Sequence, residues 1–210
     1  MAFHQFGRGD NWMKKLFFAF LLFLFAVSCA KYKAVSIPQL QPEFSPNAQK
    51  QKDVTAVVKV FSIDDCKRYF DSNLIDEGYQ PIQLMVDNQS KLYYLLSKSG
   101  ISLPTVPPEE VAQKAHRSTV GRATGYGIAA IFLWPFLIPA IVDASGSSKA
   151  NTQMDIDFTA KGLDDIVIQP YSRAQGVIFV PTSEMQPNLT VNIIDKETNE
   201  KIEFTFTNIK

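Results

Sequence analysis

The sequence predicts a mainly β protein, an antiparallel β-sandwich that carries a short helix and an apolar helical-hairpin insertion. Between residues 54 and 210, about seven or eight short runs are rich in β-branched residues or alternate apolar with polar residues, and turn-forming residues separate them. Without the segment 104–150, roughly 110 residues remain, close to the ~100 residues of one sandwich domain. We therefore predict a sandwich domain over 54–210 that is interrupted by an insertion at 104–150.

The chain begins with a leader in which two lysines, Lys14 and Lys15, precede the unbroken apolar run 16–27. This is the layout of a secretory signal peptide, and Met13 directly before the lysines is itself a candidate start of translation. As a helix the run would extend roughly 18 Å, well short of the ~30 Å hydrocarbon core of a membrane. The sequence therefore predicts a leader and signal peptide over 1–28 and not a permanent spanning helix.

The signal ends in Ala26-Val27-Ser28-Cys29, which resembles the lipobox of bacterial lipoproteins. The match departs from the family pattern at Ala26, where leucine or another branched aliphatic residue is usual. The resemblance implies a diacylglycerol on the sulfur of Cys29 and a further acyl chain, such as palmitate, on the new amino terminus. Two or more acyl chains anchor a protein stably. Because Ala30 is not the aspartate that retains such proteins at the inner membrane, the resemblance implies an outer-membrane lipoprotein that faces the periplasm.

Two alternatives to the lipoprotein interpretation remain open from the sequence. The segment could be a cleaved signal peptide followed by an incidental cysteine, or a short uncleaved anchor. The chain has two cysteines, and two cysteines in an oxidising compartment can form a disulfide. If Cys29 is acylated, however, Cys66 has no intrachain partner.

Residues 29–53 form a polar stretch that carries several glutamines and three prolines, Pro38, Pro42 and Pro46. Such a composition cannot bury enough apolar surface to fold by itself. We therefore predict a lipidated flexible tether over 29–53 between the anchor and the domain.

The first elements of the domain are a strand and a capped helix. The run 54–61 is rich in β-branched residues, and Ser62 with Asp65 then matches a capping box at the start of a helix. Gly78 predicts the end of this helix. The spacing directs Cys66 inward, where a free cysteine is more often a small hydrophobic residue than a nucleophile. The predicted inner face of the helix comprises Ile63, Cys66, Phe70 and Leu74.

The remaining strands follow from alternation and from turn residues. Residues 82–86 alternate apolar with polar side chains, and 88–90 predict a turn into the next strand. The clearest alternation places Met154, Ile156 and Phe158 on one face, which predicts a strand there. Further strands are predicted at 91–97, 166–168, 176–180, 189–194 and 201–206.

The spacing of three segments, IQLMVDNQS, IVIQP and GVIFVP, resembles the immunoglobulin-like sandwiches of uncharacterised bacterial lipoproteins. The resemblance covers most of Val54 to Lys210 and implies an Ig-like sandwich. The cysteine and tryptophan landmarks of antibody domains are absent from the sequence.

The insertion combines a predicted helix with an apolar hairpin. Residues 107–110 predict a helix that runs to about Thr119. The run 126–142 has no charged residue, yet Pro135 and Pro139 would each cost about 3 kcal/mol or more inside a regular helix. We therefore predict a broken hairpin that either covers the sandwich core or contacts a membrane or partner. The candidate contact residues are Tyr126, Ile131, Phe132, Trp134, Phe136 and Ile138.

No motif in the sequence predicts a catalytic residue, a cofactor or a metal. C-x-x-C, H-x-x-x-H, G-x-S-x-G and glycine-rich phosphate loops do not occur. Without 1–28, which holds three basic residues and one acidic residue, the chain has 18 basic and 20 acidic side chains and a net charge of about −2. This balance offers no basic surface for nucleic acid.

These observations favour a membrane-anchored envelope lipoprotein that is not an enzyme and that binds or scaffolds another envelope protein. The alternative is a hydrolase or metal-dependent enzyme whose residues only the fold brings together. A cleft in which His116 meets two or more carboxylates would favour that alternative.

Overall fold

The computed structural model describes residues 31–116 and 137–209, with the backbone alone described for 137–147. The chain divides into two compact units. Tyr32–His116 and Asn151–Lys210 form one of them, which we term the body. The other comprises Met1–Lys31 and Arg117–Ala150, and most of it lies outside the described residues.

Two antiparallel four-stranded sheets make the described chain mainly β, as the sequence predicts. The first sheet has the order β1-β2-β3-β6, with β1 at Gln49–Gln51, β2 at Val54–Val60, β3 at Tyr79–Asn88 and β6 at Ser172–Pro181. The second has the order β5-β4-β7-β8, with β4 at Tyr94–Ile101, β5 at Ile166–Ile168, β7 at Leu189–Asp195 and β8 at Lys201–Phe206. Every predicted strand of the domain except the one at 154–159 corresponds to one of these elements.

One apolar core lies between the two sheets, an arrangement consistent with a β-sandwich. Alternate residues of a strand point to the same face of a sheet. In β8 the buried residues Ile202, Phe204 and Phe206 accordingly alternate with exposed polar neighbours. The shared core includes Ala56, Leu84 and Ile178 from the first sheet and Leu96, Val191 and Phe204 from the second.

A second core covers the opposite face of the first sheet. Three α-helices are present in the described residues, α1 at Ile63–Phe70, α2 at Pro108–Ala115 and α3 at Leu137–Lys161. The ring of Phe70 lies 4.6 Å from that of Phe158 and 5.4 Å from that of Phe179, measured between centroids. Residues 176–180 of β6 are buried on both faces, which agrees with their continuous apolar sequence, GVIFV, in place of an alternation.

Helix α1 begins with the predicted capping box. The Ser62 hydroxyl accepts a hydrogen bond from the Asp65 amide, and the Asp65 carboxylate accepts one from the Ser62 amide, both at 3.1 Å. Lys59 Nζ lies 2.8 Å from the same carboxylate. Burial alone would raise the pKa of Asp65, but the hydrogen bonds from Lys59 and from the Ser62 amide hold it below its usual value.

The predicted end of this helix, at Gly78, is wrong. Helix α1 ends at Phe70 because Asp71 adopts a left-handed conformation with φ of 53°. Gly78, with φ of 93°, instead lies in the turn that leads into β3. Cys66 and Leu74 are buried as predicted, whereas Ile63 is 43% exposed and does not belong to the inner face.

Residues 154–159, predicted to form a strand, belong to helix α3. Met154 and Phe158 are fully buried, but Ile156 between them is 59% exposed. A strand would place all three side chains on one face. A helix places Ile156 about 200° around the axis from each of the other two. A buried pair spaced by four residues fits both the two-residue period of a strand and the 3.6-residue period of a helix. The helix forms because it packs Phe158 against Phe70 and Phe179.

The described part of the predicted tether lies on the body instead of extending away from it. Residues 32–51, which we term the strap, end in β1, and β1 pairs with β2. Gln83 of β3, which is 1% exposed, donates a hydrogen bond to the carbonyl oxygen of Pro38 at 2.8 Å. The prediction of a flexible tether therefore does not hold for 32–51. A polar segment that cannot form a core of its own can still be held by a sheet that is already formed.

The end of the strap also joins the two sheets at one edge. The side-chain amides of Gln49 and Gln51 donate hydrogen bonds to the carbonyl oxygens of Thr205 and Glu203 in β8. The Thr205 amide donates in return to Gln49 Oε1 at 3.1 Å. These glutamines thus satisfy backbone groups at the edge of the second sheet that another chain could otherwise pair with.

The insertion opens with a helix at the predicted place, because α2 begins directly after Pro107. Proline is favoured in a first helical turn, and Glu109 and Glu110 complement the positive end of the helix dipole. Among the residues that the structure describes, no helix combines the length and the apolar character that crossing a membrane requires.

Replacing Phe158 with alanine should lower the free energy of unfolding by about 3–5 kcal/mol, because the ring is buried between two other aromatic rings. Ile156→Ala, at an exposed position of the same helix, should change it by less than about 0.5 kcal/mol. Guanidinium unfolding of both variants measures the difference. Similar losses at the two positions would contradict the helix and restore the predicted strand.

Candidate functional site

A small polar cavity of about 290 Å³ lies where the strap crosses the first sheet beside the end of helix α3. Four elements of the body line it. Strands β3 and β6 provide Gln83, Gln175 and Val177, helix α3 provides Asp157 and Lys161, and the strap provides Ser36 and Ile37. The cavity is therefore formed by segments that are far apart in sequence.

Two side chains that line the cavity, Asp157 and Lys161, belong to a hydrogen-bonded network that also includes Tyr32. Lys161 Nζ donates to the Asp157 carboxylate one helical turn earlier and to the carbonyl oxygen of Tyr69, the latter at 2.5 Å. The Tyr32 hydroxyl donates to the same Asp157 oxygen at 2.5 Å. The Lys161 side chain is 10% exposed, and its ammonium lies 5.4 Å from the centre of the Phe70 ring. A charge buried to this extent is tolerated because it is paired and hydrogen-bonded.

The local sequence explains why the network forms at this point. Asp157 and Lys161 are four residues apart on a helix and therefore lie on the same side, with the cation near the negative end of the helix dipole. Gly162 then ends the helix close to α2. A Cβ atom at Gly162 would lie 2.6 Å from Cγ of Pro108, so only glycine permits this approach. Lys161 is thereby held at the cavity.

Tyr32 fastens the start of the strap to the body. Burial, followed by the hydrogen bond to Asp157 and the charge of that residue, raises the pKa of Tyr32 above its usual value. The hydroxyl consequently remains a donor at neutral pH. Two backbone bonds extend the attachment, from the Lys33 amide to the Asp71 carboxylate at 2.9 Å and from the Val35 amide to the Arg68 carbonyl at 3.0 Å.

Two glutamines form the floor of the cavity. Gln83 Nε2 donates to Gln175 Oε1 at 3.3 Å as well as to the Pro38 carbonyl. The Leu40 amide also donates to Gln175 Oε1, at 3.4 Å. Gln83 of β3 and Gln175 of β6 are therefore covered by the strap and bonded to it.

His116 lies at the end of α2, and in the described residues it contacts one carboxylate. Its Nε2 atom is 2.6 Å from Asp155 Oδ1. Within 31–116 and 148–209, no three His, Cys, Asp or Glu side chains are grouped as a metal site requires. Among the described residues, His116 thus does not meet the two or more carboxylates that would favour the enzyme alternative.

Cys66 is buried in the second core and is not part of the cavity. Its burial confirms the predicted inward orientation. Desolvation raises the pKa of the thiol to about 11, so very little of the nucleophilic thiolate exists near neutral pH.

The contact and lipidation residues predicted from the sequence lie outside what the structure describes. Cys29, Tyr126, Ile131, Phe132, Trp134 and Phe136 are among them, and Ile138 is described for its backbone alone, in α3. The structure therefore leaves those predictions as predictions.

Sequence reasoning missed the cavity for a specific reason. Asp157 and Lys161 have the four-residue spacing of an ion pair on a helix. The apolar alternation predicts a strand at 154–159, and in a strand this spacing does not indicate an ion pair. Tyr32 lies in a segment whose composition indicated no fixed structure. The pair could have been found from the sequence only if the helical period had been recognised there.

Comparison with known proteins gives no indication of the function, because the chain matches no protein-family model, no curated protein and no solved structure. The function must be inferred from the residues and their geometry. The attachment of the strap and the cavity beside it are the two features that bear on it.

Tyr32→Phe should lower the free energy of unfolding by about 1.5–3 kcal/mol, because it removes a hydrogen bond to the charged Asp157. The loosened strap should also be cleaved faster by trypsin after Lys33. Tyr171→Phe, at a position 62% exposed, is the matched control and should alter neither property. An unchanged rate of cleavage in Tyr32→Phe would show that the hydroxyl does not hold the strap.

Proposed function

We propose that the protein is a membrane-anchored envelope lipoprotein, with an Ig-like sandwich that binds or scaffolds another envelope protein and catalyses no reaction. The observation that supports this most directly is the attachment of Tyr32, which lies three residues after Cys29. Lipid on Cys29 would be joined to the body by only this short link. The anchor would thus hold the body at the membrane surface, at the periplasmic side of the outer membrane.

The chain enters and leaves the body at residues that are bonded to helix α3. Tyr32, where the body begins, bonds Asp157, and His116, where the chain leaves the body, bonds Asp155. The chain returns at Asn151, in the same helix. Asp155 and Asp157 are about 3 Å apart along the helix axis. Tyr32 and His116 are therefore both bonded to α3, at neighbouring positions along its axis but on different sides of the helix.

Apolar residues on the outer face of the second sheet support the proposal of a protein partner. Val167, Leu95 and Ile194 form one row across three neighbouring strands, and Val167 and Ile194 are 46% and 38% exposed. Tyr93, which directly precedes β4, is also 45% exposed. Adjacent exposed apolar residues of this kind are typical of surfaces that bind another protein.

Cys29→Ser should abolish the attachment of lipid. Metabolic labelling with a fatty acid is expected to label the wild-type chain and Cys66→Ser, which keeps the predicted acylation site. The variant Cys29→Ser should show no label and should be released from the membrane fraction. Equal labelling of Cys29→Ser and the wild type would refute the lipoprotein assignment.

Replacing residues 120–136 with a Gly/Ser linker of equal length should weaken association with the membrane or partner but leave the body folded. The replacement removes most of the predicted apolar contact residues and ends before α3 begins. Both cores of the body draw on residues within 32–116 and 151–209, so the thermal unfolding transition should stay cooperative and close to that of the wild type. Crosslinking in intact envelopes measures the association.

The outcome that contradicts this proposal is an insoluble or molten product. It would show that the hairpin covers core residues, each contributing roughly 1.5–3 kcal/mol when buried. Unchanged crosslinking together with a normal unfolding transition would also contradict it, because the hairpin would then not contribute to the association.

A further inference from the structure

The groups that line the cavity combine hydrogen-bonding side chains with an apolar surface. The Lys161 ammonium, the Asp157 carboxylate and the side-chain amide of Gln175 lie on the polar side, and Ile37 with Val177 provides the apolar side. Ligand sites commonly show this combination of apolar walls and a few convergent polar groups. From it we infer that the cavity binds one neutral sugar ring, either as a free monosaccharide or as the terminal unit of a saccharide chain.

The ion pair at the wall selects against charged ligands. Lys161 and Asp157 are bonded directly to each other and neutralise one another. A carboxylate or an ammonium ligand would have to compete with this pair in a poorly solvated place. A hydroxyl group can accept a hydrogen bond from Lys161 or donate one to Asp157 without separating them. The cavity therefore favours a ligand that carries several neutral groups, each both donor and acceptor.

Hydrogen-bonding capacity remains for such a ligand. An ammonium group has three N–H donors, and within the described residues two of those of Lys161 are directed to Asp157 and to the Tyr69 carbonyl. An amide side chain offers two donors and an acceptor. The oxygen of Gln175 accepts from Gln83 and from the Leu40 amide, and among the described residues no acceptor is bonded to its NH₂ group, so those two donors remain for a ligand.

The volume of the cavity and its opening are consistent with one bound sugar ring. The volume of about 290 Å³ lies at the lower limit of the ~300–1,000 Å³ of typical ligand pockets, which excludes an oligosaccharide lying fully inside. Ile37, the partly exposed apolar side chain of the lining, suits the C–H face of a sugar ring, while the hydroxyl groups of the ring point to the polar wall. Ser36 and Ala160 also line the cavity and are themselves exposed, so they mark its opening, through which a longer chain could extend.

Binding is tested with the full-length chain in a detergent that has no sugar headgroup, by calorimetry and ligand-observed NMR. The probes are glucose, N-acetylglucosamine and the trimer of N-acetylglucosamine, with glucosamine and glucuronate as charged analogues. We expect at least one neutral sugar to bind and both charged analogues to bind at least about tenfold more weakly. Tighter binding of the trimer than of the monomer would assign the site to a chain end, and equal binding would assign it to a free monosaccharide.

Ala160→Trp should block the opening and weaken binding by at least about tenfold. Gln113→Trp introduces the same side chain at an exposed position of α2 that does not line the cavity, and it should bind as the wild type does. Thermal unfolding confirms that both variants are folded. Absence of binding by every neutral sugar, equal binding of the charged analogues, or equal binding by Ala160→Trp would overturn the inference. None of these results bears on fatty-acid labelling of Cys29, so the two proposals fail separately.

Discussion

The first sheet is buried on both faces, and the rest of the structure depends on how its second face is covered. One face contributes to the core between the sheets. The other presents apolar residues, such as Val177 and Phe179, and polar ones, such as Gln83 and Asp87, all less than 6% exposed. Buried polar groups need hydrogen-bonding partners and buried apolar groups need packing. Helices cover the apolar part, and on the polar part the strap provides a partner for Gln83 while Arg173 of β6 pairs with Asp87.

Lys161 connects these two coverings. It is the last residue of α3, which packs on the apolar part, and it bonds the carboxylate that holds Tyr32. The carbonyl of Tyr69 brings α1 to the same ammonium. One buried cation thus ties two helices and the strap together, and the cavity is the space left where these elements meet β3 and β6. A site formed in this way is stabilised by the same contacts that hold the fold.

This arrangement changes what an anchor at Cys29 would do. A flexible tether would let the body turn freely above a membrane, whereas a strap that is fixed from Tyr32 onward restricts it. The exposed apolar row of Val167, Leu95 and Ile194 lies on the outer face of the other sheet, where a partner protein would remain accessible.

The sequence by itself determined the mainly β character of the fold and the positions of most strands. Alternation in β8 and the β-branched run of β2 indicate strands without any knowledge of their neighbours, and the capping box at Ser62 marks a helix start by local hydrogen bonding alone. These signals are local, so a single sequence is sufficient to read them. The inward orientation of Cys66 followed from the same helical spacing.

Tertiary structure decided what local patterns leave open. The apolar residues from Met154 to Phe158 fit the period of a strand as well as that of a helix. Only packing against the Phe70 and Phe179 rings selects the helix. The strap has no core of its own, so its conformation is set by partners such as Gln83 and Asp157 from distant parts of the chain. The cavity depends on both decisions. Its residues come together through long-range contacts, whose energies no local pattern in the sequence records.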